Sequence, residues 1–474
     1  MAQPQDKTLR VVAHVDLDAF YCAVESQRNP ALRGVPLGVS QYNPLERASG
    51  ERSVGGVTTL LPTDDRTLEP DGRGGSLIAV SYEARAGGVK RGMRAQDAKA
   101  ACPSLRIIQV PTLHGKADLT IYRAGGAAVL AVLARETGAS AVERASIDEA
   151  YLDVTSAARA LLSRVGRAEA CRRAEGTHVG GVADTPEGRL SKATLRRGHA
   201  GGAQAGQGGA AAAAGACSEA VSHPLPNDAA LSTELPPLAD GDEPPALQHG
   251  SSWRELGAGE EHEDDVEEDA EGDDGTGGGN GDGGDGDAAA TAAAASVAWL
   301  RRGEASWDEH EALLAAGAAV VAAARAAVAT QLGYSCSAGV AANKLLAKLA
   351  SGLKKPNAQT LLPPASAHAL LRDLPLGRLR GLGGDLGKRV CETLKVATAG
   401  ELAAVAERAL QRAFGDERGA WISRLARGES ADPVKPRGVA DSVGCSKNFP
   451  GAARALRRRV LTLRVCHVHS FFWF

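Results

Sequence analysis

The chain has 474 residues, 43% apolar and 4% aromatic, with 54 Lys and Arg against 57 Asp and Glu and a net charge of −3. That length allows two to four domains with cores of their own, so no disulfide or structural metal is needed, and eight scattered cysteines without a Cys-x-x-Cys pair suggest neither zinc nor a redox motif. The charge is uneven: residues 260–287 hold 14 acidic and no basic side chains, so setting them aside turns −3 into +11, a balance that points to a polyanionic partner such as nucleic acid or to an ordinary solvated surface.

Met1 to Arg10 is mostly polar and lacks the apolar core and cleavage site of a signal peptide. Leu9 to Val15 reads as a buried strand ending in Asp16-Leu17-Asp18, followed by a helix from Ala19 to Gln27 with Asp18 as its expected N-cap. A second strand spans Pro36 to Gln41, and Asn43 to Gly75 has no sustained apolar period and reads as an inserted loop. Then come a strand at Leu77 to Ser81, a helix through Gln96 to Ala101, a strand at Arg106 to Val110 and a helix from Gly115 to Arg135. Ala141 to Thr155 reads as a hairpin. From about Ser156 to Ala295 the pattern dissolves into Gly, Ala, Pro and acidic residues, where burial does not offset chain entropy and disorder is expected. Order returns with a helix at Glu309 to Leu332, whose Ala-rich part suits a buried helix better than a membrane span, a strand at Ser335 to Val340, and helices up to about Arg427. A reducing compartment fits the cysteine usage.

Asp16 and Asp18 share a face if their strand continues, because side chains alternate. Asp148 and Glu149 are neighbours and reach one site only at a turn or bulge, which predicts a hairpin tip. Carboxylates gathered from distant segments repel unless a cation neutralises them, and oxygen-only ligands suit a hard ion such as Mg²⁺. Two such ions about 4 Å apart stabilise the attacking and leaving oxygens of a phosphoryl displacement. Taken singly, each acid also fits a helix cap or an exposed turn with nothing bound.

Val15-Asp16-Leu17-Asp18-Ala19-Phe20-Tyr21 and Ala145-Ser146-Ile147-Asp148-Glu149-Ala150-Tyr151 resemble the two metal-binding motifs of Y-family translesion DNA polymerases. Further matches follow in the family's order: Gln41-Tyr42, Ser81-Tyr82-Glu83-Ala84-Arg85, Cys336-Ser337-Ala338-Gly339, the segment Asn343 to Ala350, Lys355-Pro356-Asn357 and Leu382-Gly383-Gly384. Asp432 to Arg437 and Gly444 to Gly451 resemble the eta branch in particular. The series is collinear over about two thirds of the chain, which makes it far more specific than any one motif.

The resemblance implies a mixed α/β, right-hand polymerase. Its palm, an antiparallel sheet with helices, would comprise 1–19 and 112–364 with the insert at about 156–295. Small fingers would span 20–111 with the inserted loop 43–75, and a helical thumb 365–432. It implies that Asp16, Asp148 and Glu149, with the Leu17 carbonyl, hold two Mg²⁺ ions, Mn²⁺ being an alternative. Tyr21 would be a steric gate against ribonucleotides, Tyr82, Arg85 and Lys355 would grip the triphosphate, Arg91 would lie over the incoming nucleotide, and Gln41 would touch the templating base. Gly381, Gly383, Gly384 and Lys388 resemble a helix-hairpin-helix turn whose backbone amides approach a DNA phosphate. The little finger, the family's fourth DNA-gripping domain, is expected to be largely missing, since only residues 433–474 remain for it and the aromatic tail departs from the pattern. The implied partners are primer–template DNA and deoxynucleoside triphosphates, in the nucleus. Clamp-binding and ubiquitin-binding segments are not evident, and no membrane is expected. The expected activity is synthesis past damaged bases such as pyrimidine dimers. The alternatives are another Y-family branch, kappa-, iota- or DinB-like, or a weakly active DNA-binding protein without the little finger.

Overall fold

Val12–Leu17 (β1) is buried at every position, as befits a central strand covered on both faces. It lies in the middle of a six-stranded sheet in a computed structural model that describes residues 9–40, 51–54, 57–60, 75–113, 116–181, 285–302 and 306–436. All of these residues belong to one compact unit. The other strands of the sheet are β9 (Ala141–Arg144), β10 (Glu149–Asp153), β11 (His178–Val179), β12 (Cys336–Ala341) and β13 (Gln359–Leu361), in the order β11-β13-β12-β1-β10-β9. β1 runs antiparallel to both β10 and β12.

Alternation along β1 sorts its side chains between two cores. Val11, Ala13 and Val15 join a core with α4 (Thr120–Thr137), α5 (Thr155–Arg173) and α7 (Glu309–Leu332), whereas Val12 joins Tyr151 in a second core. That second core is built by α8 (Lys344–Ser351), α9 (Pro364–Arg372), α10 (Asp385–Leu394), α11 (Ala399–Ala403), α12 (Glu407–Phe414) and α13 (Asp416–Ala426). A third, smaller core lies under β2 (Leu37–Ser40), β5 (Leu77–Val80) and β6 (Arg106–Gln109), with the helices α2 (Tyr82–Ala86) and α3 (Ala95–Ala101).

Helix α7 has the length and apolar composition of a membrane span, yet Ala312 to Ala319 are all buried in the core. Its small residues permit close approach: a Cβ on Gly317 would lie 2.4 Å from a methyl of Val11, the residue before β1. Asp308 caps the helix by accepting the Glu311 N–H at 2.6 Å, and Gly333, in the left-handed region, ends it.

Three expectations are corrected. The stretch 43–75 contains a hairpin, β3 (Glu51–Val54) and β4 (Val57–Leu60), and its other residues up to 74 lie outside the described set. The low-complexity segment begins later than residue 156 and ends sooner than 295. Helix α5 and β11 precede it, and α6 (Asp285–Leu300) follows it and packs on β11 through Ser296, whose hydroxyl accepts the Val179 N–H at 3.0 Å. Sequence pattern missed α5 because its mean hydropathy is low and Gly166 (φ 76°) interrupts its helical backbone. Asp18 does not cap α1 (Phe20–Arg28). Ala19 takes that position in a left-handed conformation, and Asp18 accepts the Ser337 hydroxyl and the Asn357 N–H, both at 2.8 Å. The little-finger expectation falls beyond Pro436, outside the described residues.

Gly339 on β12 faces α8 so closely that a Cβ there would come 2.0 Å from the Ala347 carbonyl oxygen and 2.4 Å from the Ser351 nitrogen. Backbone atoms do not yield as side chains do. Gly339→Ala should therefore cost about 1–3 kcal/mol in urea denaturation and Gly339→Val more; an unchanged midpoint would refute this packing.

Candidate active site

The pairing of β1 with β10 sets Asp16 directly opposite Glu149. The Leu17 N–H donates to the Asp148 carbonyl at 3.0 Å, so the register is fixed up to the hairpin tip. At that tip Ala145 and Ser146 both donate to the Glu149 carbonyl, at 2.9 and 3.2 Å. The Ser146 hydroxyl donates to Asp148 Oδ1 at 2.5 Å, while its oxygen accepts the N–H groups of Asp148 and Glu149 at 3.2 and 3.0 Å. Asp148 thus lies in the turn and Glu149 on the strand, which is how neighbouring acids come to one place. Helix α4 presses on the tip through Gly126, where a Cβ would meet the Ile147 carbonyl oxygen at 2.1 Å.

Two lysines answer these acids. Lys355 Nζ lies 2.6 Å from Asp16 Oδ2, and Lys348 Nζ lies 2.9 Å from Glu149 Oε2. The buried His14 places Nε2 3.5 Å from Glu149 Oε2 and Nδ1 2.8 Å from the Ser351 hydroxyl. Burial pushes the Asp16 carboxyl up to about 8, with Lys355 opposing and Glu149 and Asp148 adding to the rise. Burial acts the same way on Glu149 but is outweighed by His14 and Lys348, which hold its carboxyl well below the usual range. Burial also lowers His14. Among the described residues no three acidic, His or Cys side chains are drawn into a metal-holding cluster, since lysine ammonium groups engage Asp16 and Glu149 instead. The donor set is nevertheless all oxygen and partly buried, and the mutual repulsion recorded in Asp16 is what a hard divalent cation relieves.

The other expected residues divide. The Tyr21 ring centre lies 4.2 Å from that of Tyr122, and its hydroxyl is raised by burial and then by the Asp148 carboxylate, with Arg123 and Arg91 opposing. Burial pushes Tyr82 up to about 12, with Asp18 adding to the rise and Lys355 opposing it. Arg85 bonds the Val80 carbonyl at 3.2 Å and lies 5.0 Å from the Tyr82 ring centre. Gln41 lies outside the described residues. Gly381, Gly383, Gly384 and Lys388 are exposed at the start of α10, on the second core, with Lys388 paired to Asp385 at 3.2 Å. Gly381 takes φ +83° with Trp421 so near that a Cβ would approach the indole to 2.8 Å. Sequence reasoning missed His14, Arg123, Ser146 and Lys348. Lys348 was within reach, because Lys344 and Lys348 at i and i+4 share one face of α8.

Asp16 gives a pH signature. Its folded pKa, about 8, exceeds the ordinary 3.8, so its contribution to stability is fully present below about pH 4 and is lost as the pH rises toward 8. In chelator, the wild type should lose stability relative to Asp16→Asn across that window, with a slope no steeper than about 1.4 kcal/mol per pH unit. Parallel stability curves for the two proteins would contradict it.

The chain is 33% identical over 457 residues to DNA polymerase eta of Arabidopsis thaliana, covering 96% of this chain and 48% of that protein. It is 32% identical over 449 residues to DNA polymerase eta of Drosophila melanogaster, covering 94% and 38%. A 125-residue stretch is 41% identical to DNA polymerase IV of Alkalilimnicola ehrlichii, covering 26% of this chain and 35% of that one. The chain therefore spans about half, or less, of the length of these relatives. A solved chimeric Y-family DNA polymerase aligns over 90% of this chain and 70% of its own, at 17% identity and a TM-score of 0.47. A family model described as DNApol eta/Rev1, HhH motif matches residues 374–429. The model of the impB/mucB/samB family matches residues 15–352, from the strand bearing Asp16 through Lys348, and with the Y-family motifs described above the chain belongs to that family.

Proposed function

We propose that the chain is a template-directed DNA polymerase of the eta type that copies nuclear DNA past damaged bases, pyrimidine dimers among them. The observation that carries this reading is the placement of Asp16 opposite Glu149, with Asp148 at the adjoining tip and Lys355 2.6 Å from Asp16. Asp16, Asp148 and Glu149, with the Leu17 carbonyl, would hold two Mg²⁺ ions, with Mn²⁺ as a substitute. Bound there, the ions would neutralise charge on the attacking and leaving oxygens of nucleotidyl transfer. In this reading Lys355 leaves Asp16 for the triphosphate when the cations arrive, since an ammonium group and a cation compete for one carboxylate. Tyr82 and Arg85 complete the grip on the phosphates, Arg offering forked donors. Tyr21, held by Tyr122 and Phe20, stands under the sugar and rejects a 2′-hydroxyl by steric conflict. The Gly381 to Gly384 turn, with Lys388 behind it, binds a duplex phosphate without reading sequence.

Asp148→Ala should lower Mg²⁺-dependent primer extension by about 10³-fold or more while thermal stability is kept, a loss within the range of removed charge-stabilising groups. Extension that persists would place the site elsewhere. Tyr21→Ala should raise ribonucleotide incorporation relative to deoxynucleotide by about 10²-fold or more, read from single-nucleotide insertion, and an unaltered ratio would remove Tyr21 from the sugar pocket. Bypass of a thymine dimer, compared with that of a minor-groove guanine adduct, tests the lesion class; preference for the adduct would move the chain to another branch.

A further inference from the structure

Two residues before the hairpin tip, on β9, Glu143 is a charged side chain held partly buried. It pairs across the hairpin with Tyr151, and so shares the sheet face that also carries Glu149. One carboxylate oxygen accepts the Lys344 ammonium at 2.6 Å, and the other accepts the backbone N–H of Lys435 at 2.9 Å. Lys344 starts α8, the helix that also carries Lys348 to Glu149. Lys435 belongs to the segment that leaves the C-terminal helices, which is anchored by the buried Val434 and by Arg10 bonding the Asp432 carbonyl at 3.1 Å. Burial raises the Tyr151 hydroxyl, and Arg380, the residue before the Gly381 turn, is among the charges that oppose the rise. One carboxylate thus joins three parts of the molecule: the hairpin whose tip bears Asp148 and Glu149, the helix supplying Lys348, and the end of the unit bearing the glycine-rich turn.

We propose that Glu143 is a positioning residue that keys the C-terminal helical unit to the catalytic hairpin, so that a duplex held at the Gly381 turn is presented to Asp16, Asp148 and Glu149 in register. The inference rests on the polymerase reading above. A rigid link is needed because a displacement of about 1 Å between bound substrate and reacting groups costs roughly a hundredfold in rate. Glu143 supplies it with two charge-assisted hydrogen bonds from one partly buried side chain, the strong class of such bonds. It touches neither metal ligands nor substrate, so its loss should act on the chemical step rather than on duplex binding.

The test uses the full chain as wild type, Glu143→Ala and Glu143→Gln. Single-turnover incorporation at saturating primer–template and nucleotide should fall at least tenfold in Glu143→Ala, while duplex affinity by fluorescence anisotropy stays within threefold. Glu143→Gln should lose less, because its amide oxygen still accepts the Lys435 N–H. Amide hydrogen exchange at Lys435 should rise in Glu143→Ala and remain low in Glu143→Gln. A Glu143→Ala rate within twofold of wild type, or a matching loss of rate and affinity, would overturn the proposal. Should Glu143→Ala fail to fold, Lys344→Met removes the ion pair together with the Lys344 contact over the Tyr151 ring, and a rate unchanged from wild type would likewise overturn it. A wild-type chain inert in primer extension would sink the polymerase reading instead, and exchange at Lys435 would still report whether Glu143 holds that segment.

Discussion

Negative charge packed into a partly buried seam governs this structure. Asp16 and Glu149 face one another across two hydrogen-bonded strands with Asp148 at the adjoining tip, an arrangement that repels itself wherever water is scarce. Two lysines offset that repulsion, and the buried His14 places Nε2 3.5 Å from Glu149. The lysines come from the helix and loop that follow β12, so the segment that completes the sheet also supplies the counter-charge. Carboxylates held this way are costly for folding, and in the proposed function they would meet incoming cations without first having to be gathered.

The rest of the fold serves that seam. β1 is buried on both faces, and small residues let its neighbours close in: Gly317 of α7 against Val11, Gly339 of β12 against α8, and Gly126 of α4 against the hairpin tip. Three helices back one face of the sheet, and α8 with the C-terminal helices backs the other. The face turned to the C-terminal helices carries His14, Asp16, Glu149 and Glu143 together, so the paired acids and the Glu143 joint share one surface. The long low-complexity stretch leaves and returns at the edge strand β11, with Arg302 held 4.1 Å from both the Trp299 and Trp307 rings where the chain re-enters. Three strands separate that edge from β10.

Much of this was legible in the residues. Strand and helix periods located β1, the Ala141 to Thr155 hairpin and α7, and the need for two adjacent acids to converge required the turn that Ser146 builds. Local pattern failed where tertiary context decided. Asp18 looked like a helix cap because its neighbours are helical, yet Ser337 and Asn357, more than three hundred residues away, claim its oxygens. Helix α5 carries too few apolar residues and one interrupting glycine, and it is held by packing on α7 rather than by its own propensity. His14 gave no signal at all, since a histidine in an apolar strand is as readily a satisfied core residue as a partner of Glu149.

The proposed function stands or falls on whether Asp16, Asp148 and Glu149 take up divalent cations beside the nucleotide phosphates. Anomalous diffraction from crystals grown with Mn²⁺, primer–template and a non-hydrolysable deoxynucleoside triphosphate measures this most directly. Manganese should be held by Asp16, Asp148 and Glu149 beside the triphosphate, with Lys355 moved off Asp16 to the phosphates. Manganese bound elsewhere, or a seam that keeps Lys355 on Asp16 with the nucleotide in place, would contradict it.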